Sequence, residues 1–412
     1  MKKITSATQH LIKGIELIVC EKRLPAKLSE NLAVQGFGYL KRRFQNKITP
    51  LHTENFVLLY LPKLGHRYIY QILHYFSSSP SQIVFIWNFN LENYIKLTHE
   101  GRRLFTIKNL KIVSTPSCGL KPKAIVSSEK DEIGAFDKVP VQIKIETDVS
   151  IPVDKGEGDT FMLPYGIHPF LLQNYDQFSQ EIQKFRDQER HISIFFAGNT
   201  RYEETRYLIE QSYHVPSRDR CVEFLLENSS QLKIVEIRNF KQRQQILAQA
   251  KQYQAYSVVL CTSKGLAENW LRELAIADFF LALPGWYMLM CHNAIEAMAV
   301  GCIPILSYEN WFSPALVHGK NCFVYKQLED LPKLISHINH MSKEEISEMR
   351  AAVINYFDCY LNPSKIAAFL LQYQGSKLHL YINNEDSKTL RNVNNSSILC
   401  RGGSLQSLLE TM

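Results

Sequence analysis

The chain alternates between short β-rich runs and helical patterns, and it does so in two consecutive series. "NFVLLYL" (Asn55–Leu61) is compact and β-rich, and the loop "PKLGHR" and the helical pattern "YIYQILHYF" (Tyr68–Phe76) follow it. "SSSPS" breaks the chain before "QIVFIWNF", and "LKIVSTPS", "KAIVSSEKD" and "VQIKIETDV" read as further strands. Strands separated by helices favour βαβ units and a parallel sheet. A second series opens at "HISIFFAGN" (His191–Asn199) and continues through a helix around Glu203–Gln211. Next come strand "LKIVEIRN", helix "QRQQILAQAKQY", strand "YSVVLCT", helix "ENWLRELAIA", strand "DFFLALPG", helix "LMCHNAIEAMAV" and strand "CIPILS". Two α/β sets of similar size predict paired Rossmann-like domains.

Between the sets, "VDKGEGDTFMLPYGIHPFLLQNY" clusters Gly, Asp and Pro, which suits a crossing from one domain to the next near Asp159–Pro169. The expected organisation is an N-terminal Rossmann-like domain over residues 1–160 and a C-terminal one over 161–374, closed by the long helix Met341–Leu361. Residues 375–412 are rich in Asn and Ser and are expected to be a loosely packed or partly disordered tail.

At 412 residues, with 45% hydrophobic and 21% charged residues, the chain can bury more than one core. A net charge of +7 suits an anionic partner, but no long Lys/Arg block or zinc-finger spacing marks a nucleic-acid module. The nine cysteines are scattered without a CxxC pair, as expected of buried free thiols in a reducing compartment. Lys13 and Glu16 interrupt the N-terminal apolar run. It therefore makes a poor signal peptide or membrane span, and reads as an ordinary helix or as a basic amphipathic one resting on a membrane. A cytoplasmic protein, peripheral to a membrane at most, is expected.

The densest stretch is "PGWYMLMCHNAIEAMAVGCIPIL" (Pro284–Leu306). In parallel α/β sheets ligands bind beyond the carboxyl ends of the strands. Strand "DFFLAL" ends at Pro284-Gly285, and the following helix start offers unpaired N–H groups to a phosphate. Gly285 permits close backbone approach, and Gly301 caps the helix. Glu296, the one acid in this stretch, either accepts hydrogen bonds from a ribose or points to water. Trp286, beside the turn, suits stacking on a sugar or base. Arg201, after Gly198-Asn199-Thr200, suits a bidentate phosphate contact or is a solvated helix-start residue. Thr262, Ser263 and Lys264 follow "YSVVLC" and are placed at the pocket by position alone.

Several segments resemble the nucleotide-sugar half of GT-B glycosyltransferases, and most of all the exostosin-type family. They are "FFLALPG…IEAMAVGCIPI", "DTFMLPYGIHP" (Asp159–Pro169), "FFAGNTR" (Phe195–Arg201) and "WLRELAIADFFLALPG", in the family's order over Thr160–Phe369. The resemblance implies two Rossmann-like domains facing each other across a cleft, and a donor that is a UDP- or GDP-linked sugar. The family usually has an Arg three residues before the acid. Here that position is Asn293, with His292 beside it, so phosphate binding is expected to rest on the backbone, Asn293, His292 and Arg201. Retaining GT-B enzymes carry a second Glu eight residues upstream of the first, and here Met288 stands there, which favours inversion.

Inversion at an anomeric carbon needs a base for the acceptor hydroxyl and positive character for the leaving diphosphate. No Asp-x-Asp lies on a strand end, so metal-independent transfer without a resident cofactor is expected. His66, in the loop after the first strand, is a candidate base, or else a helix-capping residue. Asp148 is its main rival, with Glu129 and Asp131 as others, and Arg67 suits an anionic acceptor or the diphosphate. His168 reads as a hinge residue. The acceptor implied is a polysaccharide or glycolipid. The alternatives are an inactive GT-B-like binding or scaffold subunit, and a GT-B-like transferase acting on a phosphorylated polyol.

Overall fold

The computed structural model describes residues 56–78, 81–87, 97–107, 109–113, 121–129, 139–152, 158–200, 203–263, 269–385 and 387–411. The N-terminal helix expected from the sequence, Arg201, Lys264 and Asp131 lie outside these residues. Among the described residues no helix is long and apolar enough to cross a membrane. The architecture is α/β with two parallel sheets. The chain divides into two compact units, Met1–Lys144 and Ile145–Met412.

In the first unit, β1 (Phe56–Tyr60) is followed by α1 (His66–Ser77), β2 (Gln82–Ile86), β3 (Leu110–Val113), β4 (Ala124–Ser127) and β5 (Val141–Glu146). The strands are parallel in the order β3-β2-β1-β4-β5. Phe56, Leu58, Val84 and Ile125 form a core cluster on β1, β2 and β4. α1 buries Tyr68, Ile69, Tyr70, Gln71, Ile72, Leu73, Tyr75 and Phe76, so most of its circumference is covered and not one face alone. The boundary between the units falls inside β5, earlier than the Asp159–Pro169 crossing expected from the Gly/Asp/Pro cluster.

The second unit contains β6 (Asp159–Leu163), α2 (Tyr175–Arg186), β7 (Ile192–Ala197), α3 (Glu203–Tyr213), α4 (Arg218–Glu227) and β8 (Ile234–Ile237). It continues with β9 (Val258–Cys261), α5 (Trp270–Ala275), β10 (Ala277–Leu281), α6 (His292–Ala299), β11 (Ile303–Leu306) and β12 (Phe323–Val324). It closes with α7 (Asp330–Asn339), α8 (Lys343–Tyr356), α9 (Pro363–Gln372) and β13 (Lys377–Ile382). Its main sheet is parallel in the order β12-β11-β10-β7-β9-β8. The central strands β7, β9, β10 and β11 are almost wholly buried, as their continuous apolar runs require of a sheet covered on both faces.

Three expectations are corrected here. The predicted helix "QRQQILAQAKQY" is broken into a short helix, Phe240–Gln244, and a 3-10 turn, Ala250–Ala255. Its hydrophobic anchors Ile246 and Ala250 are buried, but helical propensity is a weak prior that tertiary context overrides. The "DTFML" part of the expected crossing is strand β6.

The tail is packed, not loose. Its "KLHLYI" forms β13, parallel to β6, with Leu378 and Leu380 fully buried. The Ser404 hydroxyl accepts the Thr160 N–H at 2.9 Å, and the Ser404 N–H donates to Thr160 Oγ1 at 2.7 Å. Leu390, Ile398, Leu399 and Leu409 are buried as well. The polar composition conceals this because the Asn and Ser side chains serve backbone hydrogen bonds while few apolar residues do the anchoring.

Candidate functional site

The main sheet of the second unit has a topological switch point. From β7 the chain runs to β8 and β9 on one side of β7, then to β10, β11 and β12 on the other. The loops leaving the carboxyl ends of β7 and β10 therefore diverge, and in open α/β sheets such a crevice is where ligands sit. A pocket lies there, lined by Asn199, Thr200, Arg206, Ile209, Ser217, Arg218, Asp219, Gly285 and Trp286.

Arg218 joins the two loops. Its Nε donates to the Pro284 carbonyl at 2.9 Å, and its Nη1 donates to the Asn199 carbonyl at 3.3 Å. Gly198 lies beside them: a Cβ there would crowd the Phe196 ring at 3.1 Å but would stand at ordinary contact distance, 3.6 Å, from Arg218 Nη1. Arg206 is differently engaged, pairing with Asp219 and with Glu223 at 2.6 Å.

Gly285 is required by its own turn. Its N–H donates to the Leu289 carbonyl at 3.1 Å, and an added Cβ would lie 2.6 Å from the Met288 carbonyl oxygen and 2.9 Å from that of Met290. The missing side chain thus faces protein backbone, where the sequence suggested approach to a ligand. Trp286 lines the pocket half-buried, while the neighbouring Tyr287 is the exposed aromatic, at 55%.

Helix α6 is braced on every side. Asn293 Nδ2 donates to the Ala197 carbonyl at 3.2 Å, which pins the helix start to the end of β7. The His292 ring meets the His168 ring edge-on at 5.0 Å. Glu296 is 1% exposed. Its Oε1 accepts the His168 backbone N–H at 2.8 Å, and its Oε2 accepts the Trp270 indole N–H at 2.6 Å. Neither a carboxylate open to a ligand nor one pointing to water is found, so both expectations for its exposure are corrected. The physical reason is that burial of a charged group demands partners, and His168 and Trp270 supply them. The Trp270 ring packs edge-on against Phe280 at 6.3 Å and carries the Arg243 guanidinium 5.6 Å above it. Arg243 pairs with buried Glu273 at 3.0 Å, and burial raises the Glu273 carboxyl above its ordinary range.

At the other end of α6, Arg186 donates to the Ala299 carbonyl at 2.9 Å and Arg190 to the Val300 carbonyl at 2.6 Å. Cations suit a helix carboxyl end. Gly301 follows at φ +74°, as expected of a helix-capping glycine.

The remaining candidates are more scattered. Thr262 Oγ1 donates to Glu236 at 2.6 Å, and the Ser263 hydroxyl lies buried 3.3 Å from Cys261 Sγ, so neither lines the pocket. Asp148 falls in the second unit, where Oδ1 accepts from the Ser150 N–H at 3.1 Å and its hydroxyl at 2.6 Å, an Asx turn. In the first unit, Glu129 pairs with Lys63 at 2.8 Å. His66 opens α1 and Arg67 follows it, both half-buried. The Thr98 N–H donates to His66 Nδ1 at 3.3 Å, and Gly101 packs against the ring, where a Cβ would lie 3.0 Å from Cγ. A neutral His66 that accepts at Nδ1 carries its proton on Nε2, which makes Nε2 a donor.

Sequence reasoning missed Arg218. Its local mark in "VPSRDR" is an arginine at the start of a helix whose first turn also carries Asp219, which is too weak to single it out.

No protein-family model matches this chain, and no curated protein does. Among solved structures it is similar to a glycosyltransferase of Rickettsia africae, at 10% identity over 78% of this chain and 100% of that one, with a TM-score of 0.43. It is also similar to HepE of Anabaena in complex with UDP, at 10% identity over 78% and 99% with a TM-score of 0.39. MurG of Acinetobacter baumannii is a third, at 10% identity over 78% and 100% with a TM-score of 0.37. The architecture described above rests on the strands themselves and not on these likenesses.

Proposed function

We propose that the protein is an exostosin-like GT-B glycosyltransferase, which moves a sugar from a nucleotide-sugar donor to a glycan or glycolipid with inversion and without a metal. The observation that carries this reading is the pocket at the carboxyl ends of β7 and β10, at the switch point of the second unit's sheet. Its loops include the two segments that the family resemblance singled out, Gly198-Asn199 and Pro284-Gly285, with Trp286 beside the second. The donor occupies this pocket, and Trp286 stacks on its base or sugar. Glu296, Asn293 and His292 shape the site from behind by holding α6 in place.

For the acceptor's proton we favour Asp148 over His66. One Asp148 oxygen stays outside its Asx turn, whereas neutral His66 offers an N–H at Nε2. Asp148→Asn should then abolish turnover while leaving donor affinity unchanged, and His66→Ala should retain turnover. Arg67 remains the proposed contact for an anionic acceptor.

A panel of nucleotide sugars in thermal-shift measurements tests the reading. One nucleotide should stabilise the full chain selectively, by RT ln(1 + [L]/Kd), and transfer from that donor should persist in EDTA. Loss of transfer in EDTA, restored by magnesium or manganese, would remove the metal-independent part. The burial of Glu296 and the replacement of arginine by Asn293 favour a second reading, a GT-B-shaped binding subunit without catalysis. That reading expects no transfer with any donor.

A further inference from the structure

We propose that Arg218 is the diphosphate-binding cation of this site, supplied from α4 in place of the arginine that α6 lacks at Asn293. The inference rests on the donor-binding reading above and assigns its anion contact.

Two observations converge on this residue. First, among the described residues Arg218 and Arg206 are the cations lining the switch-point pocket, and Arg206 is already matched by Asp219 and Glu223. The hydrogen bonds of Arg218 run to the Pro284 and Asn199 carbonyls, and among the described residues it enters no ion pair. Its full charge is thus left for a ligand.

Second, the guanidinium is held in place before any ligand arrives. Two of its nitrogens are tied to two different loops. A planar fork held in this way loses little freedom on binding and matches phosphate oxygens in pairs.

The chemical class expected is a nucleoside diphosphate, with the phosphates at Arg218 and the remainder toward Trp286. Inorganic pyrophosphate should compete for the same place.

The test is calorimetry on the full chain with UDP, GDP, the corresponding monophosphates and pyrophosphate, for wild type, Arg218→Met and Arg218→Gln. Gln keeps a donor for the loop carbonyls and removes the charge, so it serves if Met does not fold. One nucleoside diphosphate should bind wild type and compete with pyrophosphate. Its affinity should fall tenfold or more in a folded variant, with a flatter dependence on salt. In wild type, that diphosphate should shield Arg218 from phenylglyoxal in peptide mapping, and the nucleoside alone should not. If a folded variant keeps affinity within twofold, or if Arg218 is modified equally with and without diphosphate, Arg218 is only a loop clamp and the inference falls while the donor reading stands. If wild type binds no nucleoside diphosphate, both fall.

Discussion

Helices α4 and α6 both begin beside the end of β7, yet they treat charge in opposite ways. α6 begins with Asn293 tied to the Ala197 carbonyl, and its acid, Glu296, is turned inward onto His168 and Trp270. α4 begins with a cation whose tethers are carbonyls and which lines the pocket. The segment most like a known family motif thus holds its acid in a brace, while the cation proposed above for binding stands on a helix that the motif does not include. A motif marks where a fold needs particular residues. It does not separate those that touch a ligand from those that hold the walls.

The sharpest way to break this contrast is Glu296→Ala. It leaves two part-buried donors without their acceptor, each costing up to about 1–3 kcal/mol, so a loss on the order of 2 kcal/mol is expected in chemical denaturation. Glu296→Gln should lose less, because an amide oxygen still accepts one of the two bonds. Unchanged stability of the Ala variant would mean that the carboxylate does not brace α6.

Gly285→Ala comes next. The new methyl group would meet the Met288 and Met290 carbonyl oxygens, and overpacking of this kind costs roughly 1–3 kcal/mol. Denaturant midpoints should fall with no change in slope. A stable Ala variant that has lost only ligand binding would instead return Gly285 to the role of ligand contact.

The smallest effect is expected from Asn293→Arg, which restores the residue usual in the exostosin-type family. If α4 supplies the cation, donor affinity measured by calorimetry should change less than about threefold, or roughly 0.7 kcal/mol. A tenfold gain would shift the phosphate site back to α6 and erase the contrast.

Much of the fold was legible in the sequence for simple physical reasons. Parallel strands buried on both faces must be continuous apolar runs, so "ISIFFA", "VVLC" and "ADFFL" announce themselves. Gly301 was legible too, since a helix that must turn at once into a strand needs a left-handed residue. Strand β13 was not, because its short alternation lies in a polar tail and its value depends on pairing with β6, more than 200 residues away.

By itself, then, the sequence determined the alternation, the parallel sheets and the loops at the switch point, because periodicity and turn chemistry are local properties. Only the tertiary structure decided the inward turn of Glu296, the backbone-facing space at Gly285 and the placement of Arg218 between two loops. Each depends on which groups, distant along the chain, come to lie within hydrogen-bond reach. Burial sets whether a charged side chain finds its partner in the protein or awaits it from a ligand, and burial is not written at any single position.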